Sequence, residues 1–509
     1  MPTTGANASD PSRGHLWAQT VRPILASKSL SQKAGMKNVW LWVLCAIGTV
    51  IVIVDGLTRE SYLEKELLDE GPMRYEPYTA AFVLALALLP FCLAYAAKVR
   101  IGMIEGLLLW FVLCTVSYTR DFAYIRLPEL PLYVTELTLA VLMVGCLLKQ
   151  DASTADRTPF LKIDLLLFWC VGVACFTRGL VSNHDSVLVF RDSAIVLYSV
   201  FFLVGAWLVR DQEILKHLFL FFCIGASFAT LNGLAWFIAQ PEQRRYVPYG
   251  VFVLTAFFGA LLLTINKRVA PGIGWGLTGL FGCGILLANA RTVYVTFVVI
   301  LLLIFWVGMS IDRKKPLSRL KTLGSLVVVV VLLATVFMQT QTGSSLAQRT
   351  FDELLSGTVG FADDPNAKFR FEAWAEAIRR FLDNPLFGES YGVPFSFVFA
   401  DLDVRPHNTY LTVLYKMGLF GFLPLTALIG RCLTQCWRKR KAHSHQPDSL
   451  YLYCVLIALV AMCVFGSLNL FLESPYLASI FWLVMGMSFR LTGVKPAQSS
   501  ASALPRQRA

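Results

Sequence analysis

The sequence predicts an all-α fold, a polytopic membrane helix bundle of about 14 transmembrane helices with one long loop that carries an amphipathic helix. Three observations predict it. Of the 509 residues, 56% are hydrophobic and only 15% are charged, where soluble proteins average about 45–50% apolar and about 25% charged. The apolar residues gather in runs close to the roughly 20 residues that cross a bilayer, and mean hydropathy is +0.60. Basic residues collect in alternate loops. Together these exclude a soluble enzyme, a disordered chain and a nucleic-acid reader, because the net charge of +12 follows from cationic cytoplasmic loops alone. The 12 cysteines lie within apolar segments or at their edges, and no CxxC pair suggests a metal or redox site.

The runs fall near 38–55, 78–97, 101–118, 130–148, 163–180, 193–209, 214–237, 247–265, 272–290, 292–310, 322–338, 409–431, 450–469 and 475–491. The polar and basic residues before the first run contain no small-residue cleavage site, so that run is expected to stay as an anchor. When the segments alternate, Lys98–Arg100, Lys149–Lys162, Arg210–Lys216, Lys267–Arg268, Arg313–Lys321 and Arg431–Lys441 share one side with both tails. That side is expected to be cytoplasmic. The organisation read from this pattern is a cytoplasmic tail (1–37), a first part of the bundle with about 11 helices (38–338), a long outer loop (339–408), C-terminal helices (409–491) and a disordered cytoplasmic tail (492–509).

The opposite face carries short turns near 119–129, 181–192, 238–246 and 470–474 and the long loop. Asp363, Asp364 and Pro365 mark a helix start and Asn384–Pro385 a stop. Between them, Trp374, Ile378, Phe381 and Leu382 form an apolar stripe, and Glu376 and Arg380 stand at i,i+4. The segment 366–382 therefore reads as an amphipathic helix at the outer mouth of the bundle. A surface cover without chemistry is the plain alternative.

Arginine recurs on this face at Arg120, Arg126, Arg178, Arg191, Arg244, Arg245, Arg291, Arg370, Arg379, Arg380 and Arg405, while lysine is scarce there. A guanidinium binds phosphate in bidentate fashion and keeps its charge at any relevant pH. The group points to an anionic ligand such as a pyrophosphate; the alternative is local pairing with Asp121, Asp185, Asp192, Glu242 or Asp403. Of the six histidines, only His184 and His407 fall on the outer side, and His15, His217, His443 and His445 are cytoplasmic. His407 stands where the long loop re-enters the membrane, and a histidine can take a proton from a sugar hydroxyl as general base. Asn408 beside it can cap the returning helix or orient a hydroxyl.

Four stretches in order carry a family likeness: Phe369-Arg370-Phe371-Glu372-Ala373-Trp374, Asn384-Pro385-Leu386-Phe387-Gly388, His407-Asn408-Thr409-Tyr410-Leu411 and Gly418-Leu419-Phe420-Gly421. Their order and spacing resemble the C-terminal signature of the O-antigen ligase and polysaccharide polymerase family. Upstream, Asn289-Ala290-Arg291-Thr292 is similar to the family's Ser-Arg pair, with Ala290 in place of the serine, and Leu130–Glu136 and Arg191-Asp192 resemble recurring family segments. The turn Gly388-Glu389-Ser390-Tyr391-Gly392 departs from the tighter Gly-x-Gly common in the family.

The resemblance implies a multi-pass bacterial inner-membrane glycosyltransferase of inverting type, with a periplasmic active site and both termini cytoplasmic. It implies a glycan on undecaprenyl pyrophosphate as donor, a glycan or lipid A-core acceptor, and no metal or other cofactor. Flippase and chain-length regulator proteins fit as partners. By the same resemblance His407 is the catalytic base, and Arg291, Arg370 and, less closely matched, Arg191 hold the pyrophosphate. Arg405, Asn408 and Glu136 are weaker candidates for binding or orienting the acceptor. The segment count favours a polymerase over a ligase. A transporter or flippase of lipid-linked or anionic substrate is the alternative from another class, with Glu105 or Glu136 as relay groups within apolar segments. Glu136, near the outer boundary, is expected to pair with an arginine. Asp401-Leu402-Asp403 spells an Asp-x-Asp pattern that some glycosyltransferases use for a divalent cation, a weak signal.

Overall fold

Helices form where the apolar runs stand. The computed structural model describes residues 39–58, 79–125, 132–149, 159–210, 212–240, 249–288, 290–311, 365–395, 405–442 and 449–493. Both tails, segment 322–338, Arg126, Arg244, Arg245, Asp363, Asp364, Asp401, Asp403, His15, His443 and His445 lie outside these residues.

The apolar helices in chain order are α1 (Val39–Thr58), α2 (Thr79–Val99), α3 (Met103–Tyr118), α4 (Val134–Leu148) and α5 (Pro159–Val181). A span split by a short 3₁₀ turn at Tyr198–Val200 follows, as α6 (Ser186–Leu197) and α7 (Phe201–Leu208). Then come α8 (Gln212–Ala239), α9 (Gly250–Ile265), α10 (Pro271–Ala288) and α11 (Arg291–Ile311). The loop helix is α12 (Pro365–Asp383), and α13 (Thr409–Ala442), α14 (Ser449–Gly466) and α15 (Pro475–Gly493) close the bundle. Seven of these helical stretches are long and apolar enough to cross a bilayer and six shorter apolar ones accompany them. The protein is an integral membrane helix bundle.

Its centre and its rim differ in the way a lipid solvent requires. Nearly every residue of α9 is buried, as is most of α15, whereas α1, α4, α5 and α10 expose large apolar side chains such as Trp42, Leu148, Leu166 and Trp275. A water-facing surface would not carry so many. Inside, α7 lies along α15, α8 along α1 and α3, and α9 along α10 and α14. The α7–α15 contact depends on Gly205 and Gly486. A β-carbon at either would run into backbone of the facing helix, at Leu483 or Phe202, so small residues set how closely the two approach.

One expected boundary moves. The turn read at 181–192 is confined to 182–185, because Asp185 caps α6 by accepting from the amides of Val187 (2.8 Å) and Leu188 (3.4 Å). Arg191 and Asp192 consequently stand inside a span. At the opposite end of the bundle, Glu105 on α3 pairs with Lys149 just after α4 at 2.6 Å, so this carboxylate is engaged in an ion pair.

Candidate functional site

The site grows from the way α12 meets α13. Helix α12 starts at Pro365, where a missing amide costs nothing and a fixed φ helps, and runs to Asp383, within a residue of the expected bounds. Its packed face is built on small residues. Ala373 and Ala377 are buried against Tyr415 and Phe395, with Phe369, Phe381 and Leu411 around them. The apolar stripe read from the sequence is thereby corrected. Trp374 and Phe381 do turn inward, but Ile378 and Leu382 are exposed, because close approach to α13 selects alanines.

The expected Glu376–Arg380 pair is present at 2.8 Å. Arg380 is itself buried and reaches further, donating to Glu389 (3.2 Å) and the Pro394 carbonyl (3.0 Å) while lying over the Phe395 ring at 4.7 Å. The guanidinium so fastens the chain that leaves α12. The arginines Arg379 and Arg380 donate hydrogen bonds to Glu376 and hold its carboxyl well down, at about 2.

The stretch 384–392 then docks into a break in α13. Gly418 has φ +61° and ψ −165°, a conformation open essentially to glycine, and a β-carbon there would meet the Leu386 backbone. The break leaves carbonyls and amides of α13 without helical partners, and the turn takes them. Leu419 and Phe420 donate to the Pro385 and Leu386 carbonyls at 2.9 and 3.1 Å, and Glu389 and Ser390 donate to those of Tyr415 and Lys416 at 2.8 and 3.0 Å. The Asn-Pro-Leu-Phe-Gly and Gly-x-x-Gly motifs are thus two halves of one joint. The longer Gly388–Gly392 turn is held from the other side. Arg178 donates to the Gly388 carbonyl (3.0 Å), Ser390 Oγ to the Cys175 carbonyl (2.7 Å), and His184 Nδ1 lies 2.8 Å from the Tyr391 carbonyl oxygen.

Behind this joint lies a buried charge cluster. The Asp192 carboxylate, fully buried on α6, accepts from the Gly392 amide (2.9 Å), Arg405 Nη2 (2.5 Å) and Lys416 Nζ (2.8 Å). Lys416 also donates to the Val393 carbonyl (2.6 Å), and Arg405 also pairs with Glu473 before α15. Four charges of both signs thus close among themselves and tie the two sides of the stretch 396–404 to the bundle. Arg191 lies within electrostatic reach of Arg405, Asp192, Tyr415 and Tyr124.

His407 stands next to that anchor, and its neighbours are fastened in turn. Arg405 is held by its side chain. The Pro406 carbonyl accepts from Trp374 Nε1 at 2.7 Å. Asn408 Oδ1 caps α13, accepting from the amides of Tyr410 (3.0 Å) and Leu411 (3.1 Å). Thr409 Oγ1 donates to the Asn469 carbonyl and accepts from the Phe471 amide. His407 itself has φ +44° with its amide donating to the Arg405 carbonyl at 2.9 Å, a strained conformation that the surroundings impose. Its ring lies edge-on to Phe369, centroids 6.1 Å apart. Among the described residues the imidazole makes no hydrogen bond. Burial, and then the charge of Arg370 on α12, push its pKa below the ordinary value, so the neutral, proton-accepting form is favoured.

The structure therefore brings His407, Asn408, Arg405 and Arg370 to one place, with Arg191 behind them. Arg291 opens α11 on a separate helix; α11 packs on α14, where the Cys463 carbonyl accepts from the Tyr410 hydroxyl at 3.1 Å. Glu136 is the departure. Instead of an arginine it takes the Tyr133 amide (2.8 Å), closing a capping box at the start of α4, and the Tyr198 hydroxyl. Sequence reasoning misses Lys416 and Glu473 and does not foresee Asp192 as a hub. A lysine in the middle of an apolar span is the available signal. Among the described residues no three His, Cys, Asp or Glu side chains gather as a metal site would need.

Fold and site define a polytopic membrane protein that presents a fastened histidine, with an arginine beside it, where a loop returns to the bundle. Residues 276–426, which include Arg291, Arg370 and His407, match the family model described as O-antigen ligase. The chain is also 27% identical, over 249 residues, to an O-antigen ligase of Pseudomonas aeruginosa. That alignment covers 48% of this chain and 53% of the relative, so the chain spans about half the length of the curated relative it matches. Over the stretches they match, both comparisons make the chain similar to O-antigen ligases.

Proposed function

We propose that this protein is a membrane glycosyltransferase that moves a glycan from undecaprenyl pyrophosphate to an acceptor hydroxyl at the periplasmic face of a bacterial inner membrane. The observation that carries the reading is His407, fixed by its neighbours, its pKa lowered by burial and Arg370, and free of hydrogen bonds among the described residues. The imidazole takes the proton of the acceptor hydroxyl as its oxygen attacks the anomeric carbon. The bond from that carbon to the phosphate oxygen breaks, and the lipid pyrophosphate leaves as an anion with inversion. Arg370, Arg291 and Arg191 stabilise the charge that develops on it, in the manner the resemblance implies.

Glu105 and Glu136, either of which could serve a transporter as a relay group, are engaged with Lys149 and with Tyr133 and Tyr198, which favours the enzyme. Within the enzyme class, the segment count favours a polymerase and the curated relative is an O-antigen ligase.

The test compares a host producing the native protein with one producing His407→Ala, by glycan gel and lipid-linked intermediates. Single repeat units reaching the acceptor in place of long chains would mean a polymerase. Long chains stranded on the polyprenyl carrier would mean a ligase. An unchanged profile would overturn the assignment of His407.

A further inference from the structure

The backbone of His407 is held from two helices at once. Behind it, the peptide unit that joins Pro406 to His407 is fastened at both ends. Its N–H donates to the Arg405 carbonyl at 2.9 Å, closing a γ-turn on Pro406, and its carbonyl accepts from Trp374 Nε1 at 2.7 Å. The unit is planar and trans, so the two bonds point opposite ways and together stop it from turning. Ahead of it, Asn408 caps α13 and Thr409 is bonded to the chain between α14 and α15. His407 is the joint between these clamps, and its φ of +44° lies where a residue with a side chain goes only under constraint.

The first clamp belongs to α12. Arg370 and Trp374 stand at i,i+4 on one face of that helix, so the face that brings the Arg370 charge to the imidazole also brings the indole N–H to its backbone. Without that N–H the peptide unit is held at its nitrogen alone. His407 then relaxes towards the negative φ that an L residue prefers, and the imidazole swings with it. We infer that Trp374 is a positioning residue for His407: its indole N–H locks the Pro406–His407 peptide and keeps the imidazole turned to meet the acceptor hydroxyl. The inference rests on the glycosyltransferase reading and adds a condition to it, since His407 is set for work only while Ala373 and Ala377 seat α12 against Tyr415 of α13. A helix that merely covered the site would use the area of the indole and not its N–H.

The experiment uses the full-length protein in nanodiscs with the host's undecaprenyl-pyrophosphate-linked oligosaccharide and acceptor glycan. Two changes are made at position 374: Trp374→Phe, and benzothienylalanine, an isostere with sulfur in place of the indole N–H. Each is expected to lower kcat about tenfold, the worth of one hydrogen bond, with donor KM unchanged. Native kcat in the benzothienylalanine protein, or a loss carried by KM, would overturn the inference. A second readout needs no transfer. With isotope-labelled histidine the chain's six histidines give few NMR signals, and His407→Ala assigns the one from His407. Its Cα shift should leave the range of a positive-φ residue when the N–H is removed; an unmoved signal overturns the inference. Failure of the glycosyltransferase reading looks different, since His407→Ala would then transfer as well as the native protein while the histidine signal still reported on Trp374.

Discussion

Two polar constellations stand within a dozen residues of each other on α13 and its approach, and they are built on opposite terms. Asp192, Arg405 and Lys416 are buried, Glu473 is partly so, and the four close among themselves, every one paired with a charge of opposite sign. His407 sits two residues from Arg405, equally well framed through its backbone, yet its imidazole has no hydrogen-bond partner among the described residues. Satisfied buried charges rigidify a place in the fold. A titratable ring held still and left unbonded is available to a ligand. Anchor and tool are adjacent and different.

The sharpest way to break this contrast is on the anchor side. Lys416→Met removes one cation from the cluster and leaves the Asp192 carboxylate under-compensated in a buried place. The expected loss is about 3 kcal/mol, read as a lower unfolding midpoint in detergent, while His407→Ala should leave that midpoint unchanged. Equal midpoints for the two variants would erase the distinction. Next comes the joint between the motifs. Gly418→Ala forces a side chain into a glycine-only conformation and against the Leu386 backbone, with an expected cost of about 2 kcal/mol; faster proteolysis at 384–392 would report it. The smallest effect sharpens the tool side. In the proposed function His407 works as a base in its neutral form, and its lowered pKa keeps that form present below the ordinary histidine value. Transfer should accordingly hold as pH falls through that value and decline only further down. In Arg370→Gln one of the two causes of the shift is removed and burial remains, so the acid limb of kcat/KM should move to higher pH, whatever happens to its height.

Much of this architecture is legible in the chain itself. Each apolar run except 322–338, which lies outside the described residues, coincides with a helix, because bilayer-length hydrophobicity is a strong and local signal. The ends of α12 are readable from Pro365 and Asn384–Pro385, and the cap at Asn408 from its place before the run. Facing is harder. The largest apolar residues of α12 invite burial, yet Ala373 and Ala377 make the contact, since the distance between two helices is set by the partner as much as by the stretch of sequence that meets it. The cluster around Asp192 is illegible for a related reason: its members come from three separate stretches of chain, and spacing within one stretch carries no trace of that meeting. Glu136 shows the converse error, where a carboxylate among arginines finds two tyrosines and its own helix start.

The pairing of Arg405 with Glu473 carries a consequence for how the protein is made. Glu473 immediately precedes α15, so during synthesis the chain around His407 emerges well before its counter-charge does. Until α15 has joined the bundle against α7, Arg405 has Asp192 but lacks Glu473, and the segment it pins is held from one side only. On the proposed function, the newborn protein should therefore become competent for transfer only when its last helix is threaded.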